Sequence, residues 1–244
     1  MNKQEPISNS KYLPMPLIIA LLLCLFVTGV FGQVPPTATT STMQLPALKS
    51  TLTKTQLDNL FILGKCWGFL KYHHPAIAKG KYNWDKELID FIPSYLAVKN
   101  KRERNDSLLS WITRLGMCPA VIPVRTAVSI KLPCGLIFPG SPRFFSKKLN
   151  DQLLYIHANR ARGDQYYVRF MSDAGIHLAS FEHENAYSSM SYPTAEYRLL
   201  ALFRYWSIIE YWYPYKYNLV QSWDAVLKNT FPSCWLLPML RNIR

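Results

Sequence analysis

The sequence predicts a mostly α fold, a duplicated helix-turn-helix unit with a small β-hairpin inserted between the two copies. Three observations predict it. Sliding the chain by 139 residues lays residues 60–93 on residues 199–232 without a gap. Both stretches carry the pattern W-x4-Y-x2-P-x8-W-D-x2-L-x4-P, first through Trp67, Tyr72, Pro75, Trp84, Asp85, Leu88 and Pro93. The second copy repeats it through Trp206, Tyr211, Pro214, Trp223, Asp224, Leu227 and Pro232. Apolar residues ahead of each proline fall at helical spacing, whereas the chain between the copies reads as strand and turn. Tryptophans and prolines in register, in a chain with 7 Trp, mark one supersecondary unit used twice.

The elements follow in chain order. Lys3 and Lys11 precede an apolar run over 17–31, and Val30-Phe31-Gly32 puts compact residues at a cleavage point, so residues 1–32 read as a secretory signal peptide. The run is shorter than the ~20 residues that cross a bilayer. Cleavage is therefore expected, leaving no permanent membrane span, and the bulky Leu23 before Cys24 argues against a lipid anchor. The mature chain is expected to begin at Gln33 and to be exported, to the periplasm or the outside. Residues 33–50, rich in Pro, Thr and Ser, read as a flexible lead-in.

The first helical repeat occupies 51–110. Thr53 and Gln56 form a capping-box pattern, and Leu57, Leu60, Phe61, Gly64, Trp67, Gly68 and Lys71 lie on one helical face. That helix should stop near His73, because a residue before proline is pushed out of the helical region. Trp84-Asp85 opens a second helix, with the carboxylate at the positive end of its dipole. Pro93 is expected to break it, and residues 94–110 to resume as another helix. Residues 111–150 read as irregular. Within 151–190 a short helix is expected over 153–160, a strand over 165–171, turn residues over 172–175 and a returning strand over 176–181. A lone hairpin is marginal in water, so it should pack on the helices. In the second repeat, 191–233, a helix over 196–212 stops before Pro214, and a helix opened by Trp223-Asp224 is broken by Pro232. Residues 234–244 read as an anomalous tail.

The formal charge is +13. Residues 107–150 and 225–244 contain no Asp or Glu, and together they hold nine of those charges as scattered Lys and Arg. A surplus made by missing acids, with no basic run interleaved with aromatics, argues against nucleic acid as the partner. Cys66, Cys118, Cys134 and Cys234 match no zinc spacing; an exported compartment permits a Cys118–Cys134 disulfide, with free thiols the equal alternative. No catalytic, cofactor-binding or metal-ligating set is expected. There is no G-x-S-x-G elbow and no Gly-rich phosphate loop. His73 and His74 correspond to Trp212 and Tyr213 in the second copy, which makes them turn or packing positions. His183-Glu184 lacks the H-E-x-x-H continuation and reads as a solvated loop. The four repeat tryptophans read as core, since repeats share packing residues.

Lys-Cys-Trp-Gly-Phe-Leu-Lys-Tyr-His-His-Pro at 65–75, Glu-Asn-Ala-Tyr at 184–187 and Tyr-Arg-Leu-Leu-Ala-Leu-Phe-Arg-Tyr-Trp at 197–206 resemble the amino-terminal helical region of exported tail-specific (C-terminal processing) serine peptidases. The resemblance covers about 52–110 and 153–232. It implies a parent that hydrolyses peptide bonds of a protein or peptide substrate with a serine nucleophile, in PDZ-like and catalytic domains that follow this region. No residue here matches the catalytic motif. The chain is thus expected to be a truncated, non-catalytic portion, inactive alone and without a cofactor. The acid-free texture of 116–142 and of the ending suggests reading-frame shifts. The alternative is a stand-alone exported helical module that binds peptide or glycan through its aromatic repeats.

Overall fold

The computed structural model describes residues 51–120, 144–173 and 176–236. The signal peptide, the lead-in, Cys134, most of the acid-free stretch and the last eight residues of the tail lie outside the described residues.

The described chain is mostly helical. Helix α1 (Lys54–His73) starts with the expected capping box: the Thr53 side chain accepts from Gln56 N, and the Gln56 side chain accepts from Thr53 N at 3.0 Å. It ends where proline dictates, and Pro75 opens a single turn, α2 (Pro75–Ala78). Asn83 caps α3 (Trp84–Leu96), Asn100 caps α4 (Lys101–Thr113) and Ser146 caps α5 (Lys147–Ala158), each through a side-chain oxygen that accepts a first-turn N–H. Strands β1 (Val168–Asp173) and β2 (Ile176–Phe181) pair antiparallel with Val168 opposite Phe181. Helix α6 (Ala195–Trp212), a 3-10 turn (Lys216–Asn218) and α7 (Trp223–Leu236) make the second repeat. Residues 187–191 group apart from this unit.

Several boundaries correct the sequence expectations. Pro93 and Pro232 do not break their helices, which run on to Leu96 and Leu236. Both prolines lie on the solvent face, while Ile92 and Tyr95, and Phe231 and Cys234, bury the opposite side. Core burial on that side outweighs the one lost helical hydrogen bond. The helix expected over 94–110 begins only at Lys101, because Asn100 is extended and turns its side chain onto Glu103 N at 3.0 Å. Residues 111–150 are less irregular than expected at both ends: Trp111 belongs to α4, and α5 starts at Lys147 instead of residue 153. Strand β1 starts at Val168 instead of residue 165, since Gln165 and Tyr166 bind the first repeat's turn instead of β2. The tail expected to be anomalous from 234 begins inside α7.

The core is built around contacts between equivalent residues. A Cβ added to Gly64 would lie 2.6 Å from the Phe203 ring, and one added to Gly68 would lie 2.1 Å from Ser207 Oγ. The Tyr72 and Tyr211 ring centroids are 5.5 Å apart. Each pair is separated by the repeat offset of 139 residues. Residues that meet their own equivalents lie on a rotation axis. The copies are therefore related by an approximate two-fold along α1 and α6, which pack side by side and parallel with α3 and α7 flanking them. Helix α4 extends the stack, as Trp111 lies 4.8 Å from Trp84 and 4.4 Å from Phe91. The hairpin packs on the helices as expected, with Val168 buried and Phe170 5.4 Å from Trp212.

Candidate functional site

The motif residues are held by a reciprocal hydrogen bond. Trp67 Nε1 donates to Trp84 O and Trp84 Nε1 donates to Trp67 O, both at 3.1 Å. Trp206 and Trp223 repeat the exchange at 3.0 and 2.9 Å. All four indoles are buried. Each exchange satisfies two indole donors and two carbonyls inside the core, where an unmade hydrogen bond is costly. Pro75 and Pro214 occupy matching places directly after the first helix of each copy.

The acidic motif residues act across the axis. Asp224 of the second copy bonds Lys65 of the first at 2.8 and 3.0 Å, and Asp85 of the first bonds Arg204 of the second. Lys65 and Arg204 are equivalent positions, as are Asp85 and Asp224. Each repeat thus holds the other by one cation and one carboxylate. The reading of these aspartates as dipole-favoured helix starts holds for their position but omits this partner.

Around each cross-repeat pair a further ion pair makes a group of four charges, a quartet. In the first, Lys71 bonds Glu184, and Glu184 lies 2.9 Å from Arg204 Nε, which continues to Asp85. The Lys71 side chain is 0% exposed. In the second, the residue equivalent to Lys71 is Glu210, and it pairs with Lys216 at 3.0 Å next to Lys65 and Asp224. The sign at position 71 is inverted at 210, and the counter-charge is inverted with it, so both quartets are neutral. Burial lowers the Lys71 ammonium's pKa, and Glu184 opposes that shift; burial likewise raises the Glu210 carboxyl's pKa against Lys216.

Glu184 corrects one expectation, since it is no freely solvated loop residue but a half-buried bridge, with Asn185 O accepting from Arg204 at 2.7 Å. Its neighbour His183 sits at positive φ with its ring stacked 3.9 Å from Tyr166. His73 stacks on Phe69 at 4.5 Å with Nδ1 2.9 Å from Phe69 O, and His74 is buried, so both are packing residues as their aromatic equivalents suggested. The described thiols, Cys66, Cys118 and Cys234, are free and buried. Burial pushes Cys66 up to about 12 and Cys234 up to about 11, which keeps them protonated and poor nucleophiles. Among the described residues no cluster of three or more His, Cys, Asp or Glu could hold a metal, and no helix is long and apolar enough to cross a membrane.

Sequence reasoning missed Lys65, Lys71, Glu184, Arg204, Glu210 and Lys216. A signal was present, because the repeat alignment puts base on base at 65 and 204, acid on acid at 85 and 224, and opposite signs at 71 and 210. No protein-family profile, curated protein or solved structure matches the chain.

Proposed function

We propose that this chain is the amino-terminal, non-catalytic helical portion of an exported serine peptidase of the tail-specific type, and that it hydrolyses nothing alone. The observation that supports a scaffold role best is the pair of charge quartets at the junction of the repeats. Lys65–Asp224 and Arg204–Asp85 join the two repeats directly, Lys71 and Arg204 join them through Glu184, and Glu210–Lys216 braces the second repeat's own turn. Such a body holds its surfaces rigidly and could present a protein substrate to a neighbouring catalytic domain. Its role is positional.

The test is a peptidase assay on the purified mature chain, from Gln33 onward, with an unstructured protein substrate and an active-serine probe. Neither cleavage nor labelling is expected. Cleavage with labelling of one serine would overturn the proposal. Amino-terminal sequencing of the exported chain should begin at Gln33; retention of residues 1–32 would overturn the assignment of that segment as a cleaved signal peptide. The alternative of binding through the repeat tryptophans loses its surface, since all four indoles are buried.

A further inference from the structure

A cleft opens beside the junction of the repeats, between α1, α7 and the residues that lead into α5. It measures about 270 Å3, just below the ~300 Å3 of the smaller ligand pockets. Phe61, Ile62 and Phe144 give it apolar walls, and Arg104 holds the last of these by donating to Phe144 O at 2.6 Å. Its charged lining is Lys65, Asp224 and Lys228. Asp224 is already spent, since Lys65 Nζ donates to both of its oxygens, at 3.0 and 2.8 Å. Lys228 is left over. Its Nζ stands 4.3 Å from the centroid of the Phe61 ring, and among the described residues no carboxylate forms an ion pair with it. Residues 225–244 contain no Asp or Glu, so the rest of its own helix and the tail supply none either.

The other repeat separates what the junction needs from what the cleft adds. Lys65 and Asp224 are matched there by Arg204 and Asp85, so these positions serve the joint. Three further positions are not kept. Phe61 is matched by Leu200, Lys228 by Ile89, and Ala225 by Lys86, which pairs with Asp90 at the surface. A joint that forms without an aromatic ring, a second ammonium and a short side chain at these places does not require them. Together they shape a site. Ala225 leaves space beside α7, Phe61 offers a ring face, and Lys228 lies over that face as a cation does over an aromatic quadrupole.

We infer that this cleft binds a small monocarboxylate with an apolar body, its carboxylate paired with Lys228 Nζ and its body packed between Phe61 and Phe144. The lining itself selects this class. Apolar walls with one convergent charged group are the usual make-up of a small-molecule site. Two ammoniums against one carboxylate leave a single positive charge to be met, and one negative charge meets it. A dianion would leave excess negative charge beside Asp224, and a cation would face Lys228 unopposed. This inference does not depend on the peptidase assignment, and a silent peptidase assay leaves it unchanged.

The experiment titrates 3-phenylpropionate into the full mature chain by calorimetry, with the neutral 3-phenylpropan-1-ol as control. Saturable binding of the acid is expected, about fivefold or more tighter than that of the alcohol, as for one partly screened ion pair. Lys228→Met should abolish that preference. Ala225→Leu, which fills the cleft, should weaken both compounds. Lys228 is exposed and Ala225 half-buried, so circular dichroism should show both variants folded. Equal affinity for acid and alcohol in the parent chain, or no binding of the acid at about 10 mM, would overturn the inference. Binding of the acid that survives Ala225→Leu unchanged would place it elsewhere on the surface and overturn it as well.

Discussion

Gly68 lies directly against Ser207, its own equivalent in the second repeat, so closely that a Cβ on Gly68 would stand 2.1 Å from Ser207 Oγ and 3.0 Å from its Cβ. The two helix backbones approach because one of the pair has no side chain. Gly68→Ala should therefore force α1 and α6 apart and destabilise the chain by about 1–3 kcal/mol, the usual range for overpacking. Ser207→Gly in the same chain should recover most of that loss, since it moves the missing side chain to the other side of the axis. Urea unfolding of the two single variants and the double variant measures the coupling. Additive effects would contradict the direct contact.

Trp67 and Trp84 share more than area, because each indole N–H closes on the other's carbonyl. Trp67→Ala should cost about 3–5 kcal/mol, as expected for a buried large aromatic. Trp67→Phe keeps most of the apolar volume but leaves Trp84 O without its donor, for a loss of about 1–3 kcal/mol. The corresponding changes at Trp206 should follow the same order, because the second copy makes the same exchange. An unchanged melting midpoint in Trp67→Ala would refute the core role.

Glu184 clamps the segment after the hairpin to both repeats at once, through Lys71 of α1 and Arg204 of α6. Removing its charge leaves a fully buried ammonium without its counter-ion, so Glu184→Gln should cost about 3 kcal/mol. The double variant Lys71→Met/Glu184→Gln should be more stable than Glu184→Gln alone, because no uncompensated charge remains. A double-mutant cycle by urea unfolding reads this coupling. Independent, additive losses would show that the pair is not the clamp.

Periodicity and proline placement made the helical repeat legible, since Thr53, Pro75 and the paired Trp-Asp steps act locally and fix helix ends by backbone chemistry. The continuation through Pro93 and Pro232 was not legible, because it depends on which face of the helix is buried, a tertiary fact. The quartets were half legible. Base and acid recur at equivalent positions in the alignment, but only the fold shows that Lys65 faces Asp224 instead of Asp85. Glu184 was misread for a similar reason: its partners lie 113 residues before it and 20 after, beyond any local pattern.

His73 sits where α1, α5 and α6 meet, stacked on Phe69, 5.8 Å from the His157 ring and 5.4 Å from Tyr211. Burial lowers its pKa to about 4, with His157 and Arg160 lowering it further against the opposing effect of the Phe69 carbonyl. Burial lowers His74 and His157 as well. A base whose folded pKa lies below its unfolded value binds its proton more readily in the unfolded chain. Stability from His73 is thus fully present above about pH 6.5 and is lost as the pH falls toward 4. At about 1.4 kcal/mol per pH unit the His73 contribution reaches roughly 3 kcal/mol. The urea midpoint should accordingly fall between pH 7 and pH 4.5, and His73→Phe should flatten the fall while preserving the stack on Phe69. The same steep acid loss in His73→Phe would move the origin to His74 and His157.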